Sequence, residues 1–389
     1  IASLNGEKEE SESAAVTADE AKHGMTIAEK IIARAAGLSQ VKAGDIATVT
    51  LDRLMSNDGT THLTIGMYEK LKNPHIADKD KLVWIVDHNI PSDSPKTAAS
   101  QKKMRDFAKA NDIKFYEGEG VCHQVMMENH VVPGELIFGA DSHTCAYGAL
   151  GAFGTGVGCT DYLYAMVPGT LRFNLKGKLN DGVYARDLIL SIIGKIGANG
   201  ANYKAMEFAG EGLHSLSMAD RISICNLCVE AGAKTALMEV DDVAMDYLKE
   251  HGREPKACFT SDDDAVFEQV YDIDLSTIQP IVAKPHFVDN VVPAKESLGV
   301  KIDEAFLGSC NNGRIEDLRV GAAIIKGKKV APKVRFLVVP ASRSVYLQAM
   351  KEGLLDIFMD AGAIVMNPNC SVCWGSCQGV IGEGETLIS

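Results

Sequence analysis

Three cysteines near the C-terminus constrain this chain more than any other feature. They stand in Gly308-Ser309-Cys310-Asn311-Asn312-Gly313-Arg314 and in Asn369-Cys370-Ser371-Val372-Cys373-Trp374-Gly375. One lone Cys and one Cys-x-x-Cys pair read as a three-thiolate site, so the fold has to bring two distant loops together. A structural zinc closes with four protein ligands, whereas a catalytic metal keeps one position open. Iron–sulfur clusters are normally held by four thiolates. With three, one iron is left free to act as a Lewis acid. Two plainer readings compete: buried core cysteines, which are common, and a redox Cys-x-x-Cys at Cys370 and Cys373. The flanking Gly, Asn and Pro favour ligands.

Local patterns predict a loop setting for these cysteines. Ala305-Phe306-Leu307 reads as the end of a buried strand, Gly308 to Gly313 as a turn, and Arg314 to Lys326 as a helix with Ile315, Leu318, Ala322 and Ile325 on one face. Cys310 is thus expected at a strand's C-terminal end, near a helix N-terminus whose dipole lowers a thiol's pKa. Ala363 to Met366, followed by Asn367-Pro368-Asn369, repeats the layout for the second pair.

Size and charge narrow the class. With 389 residues, two or three domains are expected. The net charge of -13 argues against a nucleic-acid partner. Ten cysteines are too sparse for a secreted disulfide scaffold, and their clustering with Gly and His suits the reducing cytoplasm. No apolar run reaches the roughly 18 residues of a membrane span, so no membrane partner is expected.

Taken in order, residues 1–24 read as a disordered acidic extension. Structure is expected from Met25, with Thr26 capping a helix over Ile27, Ile31, Ile32 and Ala35 that ends by Gly37. Strands are predicted at Ile46–Leu51, Leu82–Val86, Ile113–Tyr116 and Leu136–Gly139. A helix is predicted at Ala99–Ala110. Alternating strands and helices imply βαβ units with mainly parallel sheets, in which ligands sit beyond the carboxyl ends of strands. Asp87-His88-Asn89 and Asp141-Ser142-His143 both fall there. The Gly-rich stretch 148–158 matches no phosphate-loop pattern and reads as close backbone packing beside a site.

Ser217 is expected to cap a helix reaching Ala231, with Asn226 and Glu230 on one face. On pattern alone Glu230 reads as solvated, and Cys225 and Cys228 read as core. Residues 240–275 form an acidic solvated face, and Pro280 to Pro293 reads as an irregular connection. The expected units are α/β domains over 25–180, 181–290 and 291–389, the last carrying the cluster cysteines.

Together these motifs resemble the aconitase superfamily, and within it the large subunits of two-subunit hydro-lyases of the isopropylmalate dehydratase type. The resemblance runs from Met25 onward and keeps the order of the motifs. It is carried by Asp87-His88-Asn89, Val121-Cys122-His123-Gln124, Gly139-Ala140-Asp141-Ser142-His143-Thr144, Cys225-Asn226 with Glu230-Ala231-Gly232-Ala233, Gly308-Ser309-Cys310, and Cys370 with Cys373. It implies an aconitase-like α/β fold, three domains packed around a central cluster cleft. It implies a 4Fe-4S cluster with one labile iron on Cys310, Cys370 and Cys373.

It also implies that Asp87 and His88 lie near substrate and the labile iron, that His123 handles the departing hydroxyl, and that Asp141 and Ser142 line the cavity. Asn226 and Glu230 would hold the cluster's water and the substrate end, which reverses the solvated reading of Glu230. His62 falls where relatives place a substrate-side loop.

The implied chemistry is dehydration and rehydration of a hydroxy di- or tricarboxylate. Isopropylmalate in leucine biosynthesis is the favoured substrate; homocitrate or homoaconitate and methyl-substituted malates are alternatives. In the family, the catalytic Ser base sits in a separate swivelling domain. That domain is not found here, so a small partner subunit is expected to supply it. Two readings from other classes are a non-catalytic iron sensor, disfavoured by the acidic balance, and a zinc-binding structural protein. Two departures stand out. Asn311 follows the first cluster Cys where Thr is usual. Relatives also continue beyond the position of Ser389 into an Asn/Arg-rich segment that contacts substrate carboxylates; either the chain is cut there or it lacks those contacts.

Overall fold

The computed structural model describes residues 23–70, 75–158, 167–375 and 378–389. Most of the acidic extension expected at 1–24 therefore lies outside the described residues. The first helix, α1 (Ile27–Ala36), forms as expected. Thr26 and Glu29 make a reciprocal capping box, Gly37 closes the helix in the left-handed region (φ 70°), and Ile27, Ile31, Ile32 and Ala35 are buried.

Next come β1 (Arg53–Asn57), α2 (Thr61–Tyr68), β2 (Leu82–Val86), α3 (Pro95–Ala110), β3 (Lys114–Glu117), α4 (Cys122–Asn129), β4 (Leu136–Gly139) and β5 (Phe153–Gly156). They build a parallel five-stranded sheet in the order β3-β2-β1-β4-β5. The strand expected at Ile46–Leu51 does not form, and the ladder begins at Arg53 instead. Ile46 is 75% exposed while Met55 is fully buried, so the pairing goes to the segment that can bury its side chain on the sheet.

The second sheet holds β6 (Thr170–Lys176), α5 (Ala185–Ile196), β7 (Ala205–Ala209), α6 (Met218–Leu227), β8 (Thr235–Met238), α7 (Asp242–Glu250) and β9 (Gln269–Asp274). Its order is β8-β7-β6-β9, again parallel. β6 pairs in this sheet although it precedes residue 181, where the second unit was expected to start. Pro280 to Pro293 is not irregular throughout: β10 (Ile281–Ala283) and β11 (Val291–Pro293) pair antiparallel, and the Val291 side chain packs against Gly194 of α5.

The third sheet holds β12 (Glu304–Gly308), α8 (Ser309–Asn312), α9 (Ile315–Ile325), β13 (Arg335–Val339), α10 (Arg343–Lys351), α11 (Leu354–Ala361), β14 (Ile364–Val365) and β15 (Leu387–Ile388), in the parallel order β14-β13-β12-β15.

One core joins the first two sheets: Met55, Ile85 and Ile137 pack in the same cluster as Phe173, Leu188 and Phe208. The third unit has its own core around Leu318, Val338 and Phe358. Close backbone packing explains the Gly-rich stretch. A Cβ at Gly148 would lie 1.5 Å from the Ala236 carbonyl oxygen, one at Gly154 2.3 Å from that of Thr144, and one at Gly156 2.6 Å from that of Asp141. Only glycine lets the turn after β4 sit this tightly against β8 and β5. Among the described residues, no helix is long and apolar enough to cross a membrane.

Candidate active site

The chain's reactive side chains collect at the carboxyl ends of β2, β4 and β12. At the end of β2, Asp87 and His88 are both buried. Asp87 Oδ2 accepts the Cys122 backbone N–H at 2.6 Å, and its Oδ1 lies 2.8 Å from His88 Nδ1. Its backbone carbonyl accepts the Cys370 N–H at 3.1 Å, tying the first sheet to the cysteine loop. Beneath this pair, Asp58 accepts the backbone N–H groups of Asp87, His88 and Asn89 at 3.2, 3.0 and 3.2 Å. Burial opposes its charge, but His88 and these N–H donors hold the carboxyl down at about 2. Burial likewise works against the His88 cation, yet Asp87 and Asp58 push its pKa up to about 11. His88 is therefore an imidazolium at neutral pH.

At the end of β4, Asp141 gathers several partners. Its Oδ1 lies 2.9 Å from His123 Nε2 and accepts the His143 backbone N–H at 2.9 Å. Its Oδ2 accepts Asn57 Nδ2 at 3.1 Å and lies 4.0 Å from His88 Nε2. Burial would raise its pKa, but His123 and His143 hold it well below the usual carboxylate range. His143 reaches on to Glu230, with Nε2 and Oε1 3.8 Å apart. Burial opposes protonation of His143, and Asp141 and Glu230 more than offset it, so its pKa is raised. Ser142 is exposed, with Oγ 3.4 Å from His143 Nδ1.

Cys310 is buried on the single turn α8 that follows β12. Asn226, on α6, donates to its Sγ at 3.5 Å, and Asn311 donates to Asn226 Oδ1 at 3.2 Å. Arg314 holds this turn from below. Its guanidinium donates to the carbonyls of Cys310 and Asn311, to Ser223 Oγ and to Gln124 Oε1. Cys370 is half-buried, with Sγ 3.6 Å from Asp87 Oδ2, and Cys373 is exposed.

The expected lowering of the Cys310 pKa is overturned. Burial and the Cys373 thiol push it up to about 12. The loss of water at Cys310 outweighs the dipole of α9, whose N-terminus follows it in the chain. Burial also raises Cys370 well above the ordinary value, with Asp87, Cys122 and Cys310 adding to it. Cys310 therefore lies in the field of Cys373, and Cys370 in that of Cys310, which links the two cysteine loops. A buried thiol whose pKa is raised further by a neighbouring thiol is one whose anionic form needs a cation, which suits a metal site. Asp87, His88 and Cys370 also have ligand atoms within 4.8 Å of one another, as do Cys122, His123 and Asp141.

Asn226 and Glu230 were expected on one helix face. Asn226 ends up at Cys310, while Glu230 lies in the 3-10 turn after α6, beside His143. His62 stays within its own turn, its Nδ1 3.3 Å from the Asp58 carbonyl oxygen. Cys225 and Cys228 are fully buried in the core, as expected. Several residues at the site were not foreseen. Asp58 and Asn57 come from the loop after β1. Trp374 packs edge-on against His88, with ring centroids 4.7 Å apart. Arg186 donates to the side chains of Asn311 and Asn312. His143 was in plain view in the Asp-Ser-His motif, but its approach to Glu230 joins residues 87 positions apart.

The sequence is similar to known proteins over most of its length. The chain matches the aconitase family (aconitate hydratase) over residues 29–301 and 293–389. It is 47% identical over 376 residues to the probable 3-isopropylmalate dehydratase large subunit of Methanothermobacter thermautotrophicus, covering 94% of this chain and 90% of that protein. It is 47% identical over 377 residues to the 3-isopropylmalate dehydratase large subunit of Hydrogenobaculum sp., covering 94% and 89%. The solved aconitase X of Thermococcus kodakaraensis aligns with 85% of this chain and 80% of its own, at 13% identity and a TM-score of 0.49, a likeness too distant to weigh. With its family match spanning nearly all of the described chain, and relatives this similar over 94% of its length, the chain belongs to the aconitase family.

Proposed function

We propose that the chain is the cluster-binding large subunit of a two-subunit hydro-lyase. It interconverts 2-isopropylmalate and 3-isopropylmalate by dehydration and rehydration, a step of leucine biosynthesis in the cytoplasm. The relatives named above support the substrate and the division into subunits. The observation that carries the chemistry is the meeting of Cys310, Cys370 and Cys373 with the Asp87–His88 and His123–Asp141 pairs.

A 4Fe-4S cluster held by Cys310, Cys370 and Cys373 would supply one labile iron as a Lewis acid for the substrate's hydroxyl and carboxylate oxygens. Around it the protein manages protons and charge. His143, whose pKa is raised by Asp141 and Glu230, and His123, oriented by Asp141, are the groups that deliver a proton to the departing hydroxyl. His88 stays cationic between Asp87 and Asp58 and offsets the negative charge that gathers here. Asn226 orients the Cys310 sulfur, and Ser142 and Glu230 line the rim. The base that removes the proton from the neighbouring carbon is a Ser of the small subunit, outside this chain.

The test is anaerobic reconstitution with iron and sulfide, followed by a hydration assay on 2-isopropylmaleate with and without the small subunit. The expected result is a brown protein that turns over only when the partner is added. Full activity without the partner, or a colourless zinc protein, refutes the reading. Faster turnover of homoaconitate or a methylmaleate would move the substrate to one of the alternatives.

A further inference from the structure

The acid–base groups stand at the carboxyl ends of the strands of the first sheet. At the opposite ends, where β1, β2 and β4 begin, lies a groove of about 660 Å³. β1 runs from one to the other: Arg53 lines the groove, and Asn57 donates to Asp141. The charged lining of the groove is Arg34, Arg53, Lys81 and Lys256 with Asp52 and Glu135. Four cations thus meet two acids, in a chain whose net charge is -13. A local surplus of this sign runs against the field of the whole molecule.

Both acids lie at the floor and are already engaged. Asp52, its side chain 10% exposed, accepts from Arg34 and Lys256 and takes the Leu136 N–H at 2.8 Å. Glu135, 5% exposed, accepts Arg53 Nε at 3.1 Å and the Val132 N–H at 3.2 Å. The ammonium groups stand at the rim, with the side chains of Lys81 and Lys256 37% and 46% exposed. Lys81 has only the exposed Asp78 as an ion-pair partner among the described residues, 3.9 Å away. A buried neighbour feels the same surplus. Burial lowers the pKa of His130, and the charges that lower it further are Arg53, Lys114 and Arg253, all cations. Helix α1 ends at the groove, where free carbonyls would repel an anion. Those of Ala33 and Arg34 are taken by the Gly37 N–H, and that of Ala35 by the Thr50 N–H.

We propose that this groove binds the phosphate group of a small phosphomonoester, with Lys81 and Lys256 on its oxygens and Arg34 and Arg53 lending charge from below. A dianion matches the surplus of two charges. The donors come from α1, from the start of β1, from the turn Lys79–Lys81 before β2 and from the loop after α7. Donors on so many elements suit a tetrahedral acceptor, whereas a planar carboxylate is gripped along one edge. The groove is larger than a bare phosphate needs, which leaves room for the organic part.

The experiment uses the reconstituted large subunit together with its small subunit. Calorimetry and thermal midpoints are read with glycerol 2-phosphate, with inorganic phosphate, and with sodium chloride at matched ionic strength. Both phosphates should bind and raise the midpoint above the chloride value, the ester more tightly. Lys81→Gln and Lys256→Gln should each weaken binding roughly 10-fold, the loss of one charge-assisted bond. Lys351→Gln removes one charge from the exposed end of α10 and should change nothing. Lys256→Gln also takes a partner from Asp52, so its midpoint in chloride is compared with that of the parent. Lys81→Gln breaks no close pair and carries the test if the other variant does not fold. The proposal is overturned if phosphate does no better than chloride, or if Lys351→Gln weakens binding as much as Lys81→Gln. It is also overturned if binding survives both groove substitutions, which would put the anion in the catalytic cleft. Binding of inorganic phosphate alone overturns the ester. Turnover is not read, so the outcome is independent of the hydro-lyase reading.

Discussion

Asp141 accepts from two separate elements at once: His123 Nε2 lies 2.9 Å from its Oδ1, and Asn57 Nδ2 lies 3.1 Å from its Oδ2. Its carboxylate also faces His143, so one charge orients two imidazoles. Asp141→Asn keeps the shape and removes the charge. Turnover should fall by about 10²- to 10⁴-fold, the range of a displaced acid–base group. Steady-state kinetics beside an iron assay checks this, and iron content should not change.

Cys310→Ala should abolish the brown colour after anaerobic reconstitution, and Cys228→Ala should keep it. Both side chains are buried, but Cys228 sits in the core of the first two sheets, where its Sγ donates to the Ile224 carbonyl at 3.3 Å. Visible absorbance and iron per chain separate a ligand from a packed thiol. Stripping the metal from the parent with a chelator should remove the colour and the activity together.

Phe358 is fully buried in the third unit, edge-on to Phe336 at a centroid distance of 6.0 Å. Phe358→Ala leaves a cavity and should cost about 3–5 kcal/mol. Chemical denaturation should show the loss in the transition that exposes the third unit, whose core is separate from that of the first two sheets.

His130 gives a pH dependence away from the cysteines. It is 8% exposed, with Nε2 2.9 Å from the Tyr116 hydroxyl. Burial, helped by Arg53, Lys114 and Arg253, pulls its pKa from 6.5 to about 4. Between these values the unfolded chain binds the proton and the folded chain does not. Stability is therefore unaffected above pH 6.5, falls as pH drops from 6.5 to 4, and levels off below. The loss is on the order of 2–4 kcal/mol. His130→Gln, which can still bond Tyr116, should flatten this part of the profile. Urea midpoints at pH 7 and pH 4.5 for both chains isolate the effect, since the carboxylates titrate in each.

Much of the fold could be read from local pattern. Leu82–Val86 and Leu136–Gly139 are apolar runs that stop at Asp87-His88 and Asp141-Ser142-His143, and the structure puts strand ends and buried acids there. Thr26 and Ser217 announced their helices through capping boxes. The strand at Ile46–Leu51 was misplaced because β propensity says nothing about which segment has neighbours to pair with. The hairpin at Ile281–Pro293 was missed because its strands are only three residues each.

At the site, the three cysteines and the Asp-His motifs stood out by residue type. Asp58 did not, because its role lies in N–H groups 29 to 31 positions away. Arg186 was hidden for the same reason, its Asn partners being 125 and 126 positions distant. The pKa of Cys310 was misjudged because a dipole can be guessed from neighbours in sequence, whereas burial depends on the whole fold.

The contact between Asp87 and Cys370 joins residues 283 positions apart. On the ribosome the first sheet is made long before the loop that closes over its edge. The sulfur nest thus cannot assemble until the loop around Cys370 has been made, long after the strand that ends at Asp87.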